Sequence, residues 1–452
     1  MTPLPPLRDE LALYPGAPAN DGSPTWLIHD PIRNRFFHIG WGSFEIISRW
    51  ALGDPAVVSQ QVCDETTLTV TDDDVLATVR FLVTNHLLRV QNAEGTAYLL
   101  DFMTRAKQSW FRRLLLNYLF FKIPLIRPDR FLSATVGRLS WIGSRPFIAI
   151  TVLSLILGLG LVIRQWDVFV ATFVDTLTWD GFARYLLALV VAKFAHEFAH
   201  AYTAKHFGCR IPTMGIAFLV LWPLFYTDTT ETWKLQARRQ RMMVGAAGMM
   251  AELTLAAYAT LAWSFLPQGG LRDAAFTLAA VAWISSLAIN LLPFLRFDGY
   301  YLLSDWLEIP NLHQRAFAFG RWWLREALFA LGEPPPERFA ARRTRFLVLF
   351  AFLVWIYRFF LFVGIALLVY HFFVKVVGIV LFVVEIGWFI LRPMVIEIRA
   401  WSMYKNTILR SRRTRVSVVF LGLLIALGSV PWHGRITAPA LLDAREQVTL
   451  YT

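Results

Sequence analysis

Short alternating stretches open the chain. "TWLIHD" (25–30) and "RFFHIG" (35–40) read as two strands joined by a turn over Pro31–Asn34. Helical patterning follows in "FEIISRWAL" (44–52), with Ser43 as the expected N-cap, and in "DPAVVSQQVCDE" (54–65). A third helix is expected over "TDDDVLATVRFLVTNHLL" (71–88), whose acidic first turn suits the helix dipole. "LLRVQNAEGTAYLL" (87–100) reads as a closing hairpin. Residues 101–145 are basic, aromatic and amphipathic ("QSWFRRLLLNYLFFKIPLIRPDRFL"), the pattern of a segment lying in a membrane interface. Apolar runs long enough to cross a bilayer then dominate, near 146–163, 182–206, 242–266, 274–294, 346–370, 372–392 and 416–432. The short run 213–227, with Pro223 inside it, reads as a bent or re-entrant segment lining a cavity. The stretch 310–345 is polar, basic and interrupted by proline, and "GRITAPALLDAREQVTLYT" (434–452) reads as a strand pair outside the membrane.

Composition agrees with this pattern. Of 452 residues, 56% are hydrophobic and only 17% charged, too apolar for a soluble chain of this size. The expected fold class is an all-α polytopic membrane protein with about seven transmembrane helices and a small N-terminal α+β domain resembling a winged helix. The net charge of +12 does not indicate nucleic-acid binding, because the basic residues flank the apolar runs. "KHFGCR", "KLQARRQR" and "RSRRTR" fall on one face, which puts the N-terminus in the cytoplasm and the C-terminus outside. Two distant cysteines, Cys63 and Cys209, suggest neither a disulfide framework nor a cysteine-based metal site.

The chemistry lies in "KFAHEFAHAY". His196 and His200 are one helical turn apart and share a face, so their imidazoles can bind one ion, with Glu197 beside them as general base. Ionisable groups in an apolar span are usually functional. Zinc suits the pair, and a catalytic zinc takes a third protein ligand and a water. "NLLPFLRFDGYY" offers Asp298, ahead of Gly299, with Asn290 and Pro293 breaking the helix upstream. His206, His371 and the run Asp228–Glu231 are expected to lie outside the site, the last as caps of the segment that follows.

The pair "HEFAH" and "NLLPFLRFDG" resembles the site-2 protease family of intramembrane zinc metalloproteases over roughly 180–305. The resemblance implies a Zn2+ cofactor held by His196, His200 and Asp298, with Glu197 activating water and Asn290 holding the substrate backbone or orienting the site. The family's "LDG" is "FDG" here. The flanks resemble bacterial peptide zinc metalloproteases linked to peptide modification or secretion. They imply a PqqD-like peptide-binding domain (1–100), an interfacial linker (101–145), a protease core (146–305), a cytoplasmic basic segment (306–345), C-terminal helices (346–432) and the start of an HlyD-like domain (433–452). The expected activity is hydrolysis of a membrane or membrane-proximal peptide at the bacterial inner membrane, with an exporter or precursor peptide as partner. The alternative is a membrane adaptor for peptide export with little proteolysis. A zinc-dependent transferase or metal transporter fits less well.

Overall fold

The computed structural model describes residues 4–18, 22–89, 120–175, 179–219, 222–372, 375, 379, 382–383 and 386–429. They fall into two compact units, residues 1–310 and 311–452.

The first unit opens with an antiparallel sheet of order β1-β2-β3, formed by Ala12–Pro15 (β1), Thr25–Asp30 (β2) and Arg35–Gly40 (β3). The register of β2 on β3 runs from Thr25 opposite Gly40 to Asp30 opposite Arg35, closing over residues 31–34 as the alternation requires. β1 is too short for a pattern to reveal it. Three helices follow: Trp41–Ser48 (α1), Pro55–Glu65 (α2) and Asp72–Thr84 (α3). α1 begins ahead of the expected cap. Gly40 is its N-cap, without a side-chain bond, and Ser43 lies within the first turn. α3 starts on a capping box in which Thr71 and Asp74 satisfy each other's backbone N–H groups. Ile28, Ile39, Ile46, Val58, Val62, Val75 and Leu82 form the core beneath. The expected hairpin over 87–100 lies largely outside the described residues, as does the expected outer strand pair at 434–452.

Four helices among the described residues are long and apolar enough to cross a bilayer: Arg145–Arg164 (α5), Arg238–Phe265 (α8), Gly270–Asn290 and Ala341–Leu368. The third consists of α9 (Gly270–Ile284) and a π-helical turn over Ser285–Asn290. Short helices Asp129–Thr135 (α4) and Trp166–Asp175 (α6) flank α5. Seven spans were expected. The helix Trp179–His206 (α7) has the length, but Lys193, His196, Glu197 and His200 dilute its apolar run. The expected span 372–392 lies partly outside the described residues.

The run 213–227 is a β-hairpin and not a bent helix. Met214–Leu219 (β5) pairs with Trp222–Thr227 (β6) and, on its other edge, with Phe120–Ile126 (β4). Thus part of the expected interfacial stretch is a strand. A short apolar run has no period that separates helix from strand. Pairing three strands satisfies backbone groups that an apolar environment would leave costly.

Small residues let the helices of this unit approach closely. Ala188 and Ala192 of α7 pack on Val281 of α9. The end of α7 is fixed from below. Leu132, Ala201, Ala204, Ile211, Met214 and Val244 form one cluster, and Asp129 accepts from Lys205 Nζ (2.8 Å) and Ile211 N–H (2.9 Å). The last helix of the unit is Asp298–Leu307 (α10).

The second unit is helical. It comprises Leu312–Phe329 (α11), Ala341–Phe372 (α12), Arg392–Met403 (α13), Lys405–Arg410 (α14) and Arg412–Ser429 (α15). Arg325 bridges Glu333 (3.3 Å) and Glu397 (3.0 Å) within it.

Candidate metal centre

Two helices of the first unit meet at one point. α7 supplies His196 and His200, buried at 5% and 7% exposure. The loop after the π turn leads into α10, whose first residue is Asp298. His196 Nε2 lies 3.1 Å from His200 Nε2, and Asp298 Oδ2 lies 3.0 Å from the first and 3.3 Å from the second. These three residues are the one cluster of metal-ligating groups found among the described residues.

The hydrogen bonds behind the rings decide what faces inward. His200 Nδ1–H donates to the Val244 carbonyl (2.7 Å), and His196 Nδ1–H donates to Glu252 (3.1 Å). A neutral imidazole has one N–H. With both rings neutral, each Nε2 presents its lone pair toward the other and toward a carboxylate oxygen. Three lone pairs converging within 3.3 Å repel unless a cation lies between them. Ligand bonds of about 2.0–2.1 Å in tetrahedral geometry separate donor atoms by about 3.3 Å, so the triangle fits zinc.

Two glycines make the convergence possible. A Cβ on Gly248 of α8 would lie 2.5 Å from His196 Nε2, so only glycine lets this helix pass against the imidazole pair. A Cβ on Gly299 would meet the backbone carbonyls of Asn290 and Leu291, which explains why Asp298 is followed by glycine. Glu197, adjacent to His196, is half-buried. The hydroxyl of Thr227, at the end of β6, donates to its backbone carbonyl (3.1 Å), tying the hairpin to the histidine helix.

Residues 184–283 match the family model for Peptidase family M50. That match holds the "HEFAH" helix and α8 and ends before Asp298. The chain is also similar to YydH of Bacillus subtilis (strain 168), which bears the name of a peptide zinc metalloprotease, with 27% identity over 166 residues. The alignment covers 36% of this chain and 63% of that relative. No solved structure matches the chain.

His196, His200 and Asp298 come together, Glu197 is adjacent to them, and Asn290 Nδ2 approaches His196 Nδ1 to 3.5 Å while donating to Glu252 at 2.9 Å. Asp228 accepts from the Thr230 N–H, but the segment that follows, Thr230–Lys234, has Thr229 as its N-cap with no side-chain capping bond, so the run does not cap it as expected. Sequence reasoning missed Gly248, Glu252 and Lys193. A carboxylate in the apolar run 242–266 and a lysine one turn before the first histidine were the available signals.

Proposed function

We propose that the protein is a membrane-embedded zinc endopeptidase of the site-2 protease type. The observation that carries this reading is the meeting of His196 Nε2, His200 Nε2 and Asp298 Oδ2 at 3.0–3.3 Å, with both Nδ1 atoms already committed. His196, His200 and Asp298 would hold the metal. Bound zinc polarises a carbonyl and brings the pKa of a bound water to about 7. Glu197 takes the proton of the attacking water on its carboxylate and returns it to the amine nitrogen as the peptide bond breaks. Asn290 acts from within the site.

The substrate class is a membrane or membrane-proximal peptide. A helical substrate hides its carbonyls, so it must be extended before attack. Among the described residues β6 is an edge of its sheet, and it ends at Thr227, bonded to the catalytic helix, which supports presentation of an extended strand beside Glu197. The N-terminal module is the capture domain. Its edge strand β3 borders a groove of about 520 Å³ against α3, lined by His38, Ile39, Ser43, Val70 and Phe81. Among the described residues no strand pairs with the outer edge of β3, and such an edge beside an apolar helix face suits a precursor peptide added as a further strand. The chain has its N-terminus in the cytoplasm, about seven crossings of the bacterial inner membrane and its C-terminus outside, and it works in peptide maturation or export beside an exporter.

Purified protein should contain about one zinc per chain. Glu197→Gln should abolish cleavage of a co-encoded peptide and leave the zinc bound. Loss of zinc in the same variant, or undiminished cleavage, contradicts the assignment. An export defect with no cleavage product at any stage favours the adaptor role instead.

A further inference from the structure

Glu252 has no part in the chemistry above, yet it is the most enclosed carboxylate near the site. It is 0% exposed and projects from the middle of α8, an apolar helix. Four donors from two elements, α7 and the π turn, converge on it. Its Oε1 accepts from Lys193 Nζ (2.8 Å), Ser285 Oγ (3.0 Å) and His196 Nδ1 (3.1 Å), and its Oε2 accepts from Asn290 Nδ2 (2.9 Å). A carboxylate has about four acceptor sites, so Glu252 is saturated.

We propose that Glu252 is the positioning residue of the metal centre. It holds His196 in the tautomer and ring orientation that turn Nε2 to the ion, and Lys193, Ser285 and Asn290 hold Glu252 in turn. This inference rests on the metal-centre reading given above.

The geometry separates this role from that of a simple polar clamp between helices. A clamp needs only the Lys193–Glu252 pair, which already joins α7 to α8. Here one carboxylate oxygen is shared between that lysine and a ligand imidazole. Metal-bound histidines characteristically donate their second N–H to such a partner, which fixes the ring. Charge supports the role as well. A divalent cation, Asp298, Glu197, Glu252 and Lys193 together sum to no net charge, as a site enclosed in a membrane protein requires.

The π-helical turn serves the same purpose. Ser285 and Asn290 are five residues apart. In an α-helix of 3.6 residues per turn they would point about 140° apart. The i→i+5 bonding of the π turn draws them to one side, and both bond the same carboxylate. Asn290 is thereby a second positioning residue, its amide N–H spent on Glu252.

The test uses the full chain in detergent. Zinc affinity is measured by competition with a chelator of known strength, and Co2+ replaces zinc for a visible spectrum. Glu252→Gln should bind zinc about 10- to 100-fold more weakly and shift the cobalt bands, while the metal-free protein unfolds near the wild-type temperature. Asn290→Ala should weaken zinc binding in the same direction. Combined with Glu252→Gln it should add less than its separate effect, because both act through one carboxylate. Ser286→Ala, in the same π turn but bonded to the Met249 carbonyl, should leave affinity unchanged. Wild-type affinity and an unshifted cobalt spectrum in Glu252→Gln overturn the proposal, whatever that variant's stability. If Glu252→Gln does not fold, wild-type affinity in Asn290→Ala overturns it. Wild-type protein that takes up no zinc overturns the peptidase reading itself, a distinguishable result.

Discussion

At the scale of single residues, the site is governed by how closely a helix backbone approaches two imidazoles. Gly248 is the point of contact, and a methyl there would occupy space 2.5 Å from His196 Nε2. Gly248→Ala is therefore expected to act through the metal. Zinc content measured by atomic emission should fall from about one per chain to near zero, and cleavage should go with it. A variant that keeps its zinc would show that α8 can move aside. Some of this site was legible in the sequence because its geometry is local: His196 and His200 are related by one helical turn, a spacing any helix enforces. Asp298 was legible through the resemblance, and its glycine follows from the carbonyls packed against Gly299. Glu252, Lys193 and Gly248 were not legible as parts of the site. Their meeting depends on how α7, α8 and the π turn pack, and no spacing within one segment encodes it. Each ionisable residue in an apolar run was still a signal.

At the scale of elements, α2 and α3 were legible because one face of each is buried at helical spacing, whereas β2, buried along the four consecutive residues Leu27–Asp30, was legible from the turn that bounds it. The run 213–227 was misread because it is apolar on both faces, and an element without a polar side has no period to show. The tip of the β2–β3 hairpin depends on one buried carboxylate. Asp30 is 0% exposed, accepts from Arg8 Nη1 and Nη2 (3.1 and 3.2 Å) and from the Ile32 N–H (3.1 Å), and so anchors both the chain start and the turn. Burial pushes the Asp30 carboxyl up, but the Arg8 guanidinium and the turn N–H groups outweigh burial and hold it below the ordinary aspartate value. A depressed value means stability that is present above the unfolded-state pKa and lost as pH falls through the folded one. The module should therefore lose stability on acidification below the usual carboxylate range. Asp30→Asn should remove about 2 kcal/mol at neutral pH and flatten that acid dependence. Limited proteolysis of the full chain across pH measures both. An unchanged acid profile in the variant would assign the sensitivity to another carboxylate.

At the scale of the whole molecule, the peptide-capture reading requires that the N-terminal module be held against the catalytic core. The first unit shows how. Lys234, in the turn after β6, lies over the rings of Tyr14 (5.1 Å) and Phe36 (5.9 Å), and Asn34 Nδ2 donates to Asp228 Oδ2 (3.2 Å). Tyr14 and Phe36 lie on β1 and β3, whereas Asp228 and Lys234 follow directly from the strand tied to Glu197. The hairpin beside the metal centre and the module carrying the groove thus share one junction. If the groove captures the precursor, this junction converts a bimolecular encounter into an intramolecular one, and its worth is an effective concentration. A cation over an aromatic ring contributes about 0.5–1 kcal/mol. Lys234→Ala, which removes two such contacts, should weaken docking by about tenfold. Peptide binding to the module should be unchanged, while KM for a precursor with its leader rises and kcat holds. A leaderless substrate should be cleaved as by the wild type. Equal losses on both substrates would show that Lys234 supports the core itself, and that capture and cleavage are not coupled through this junction.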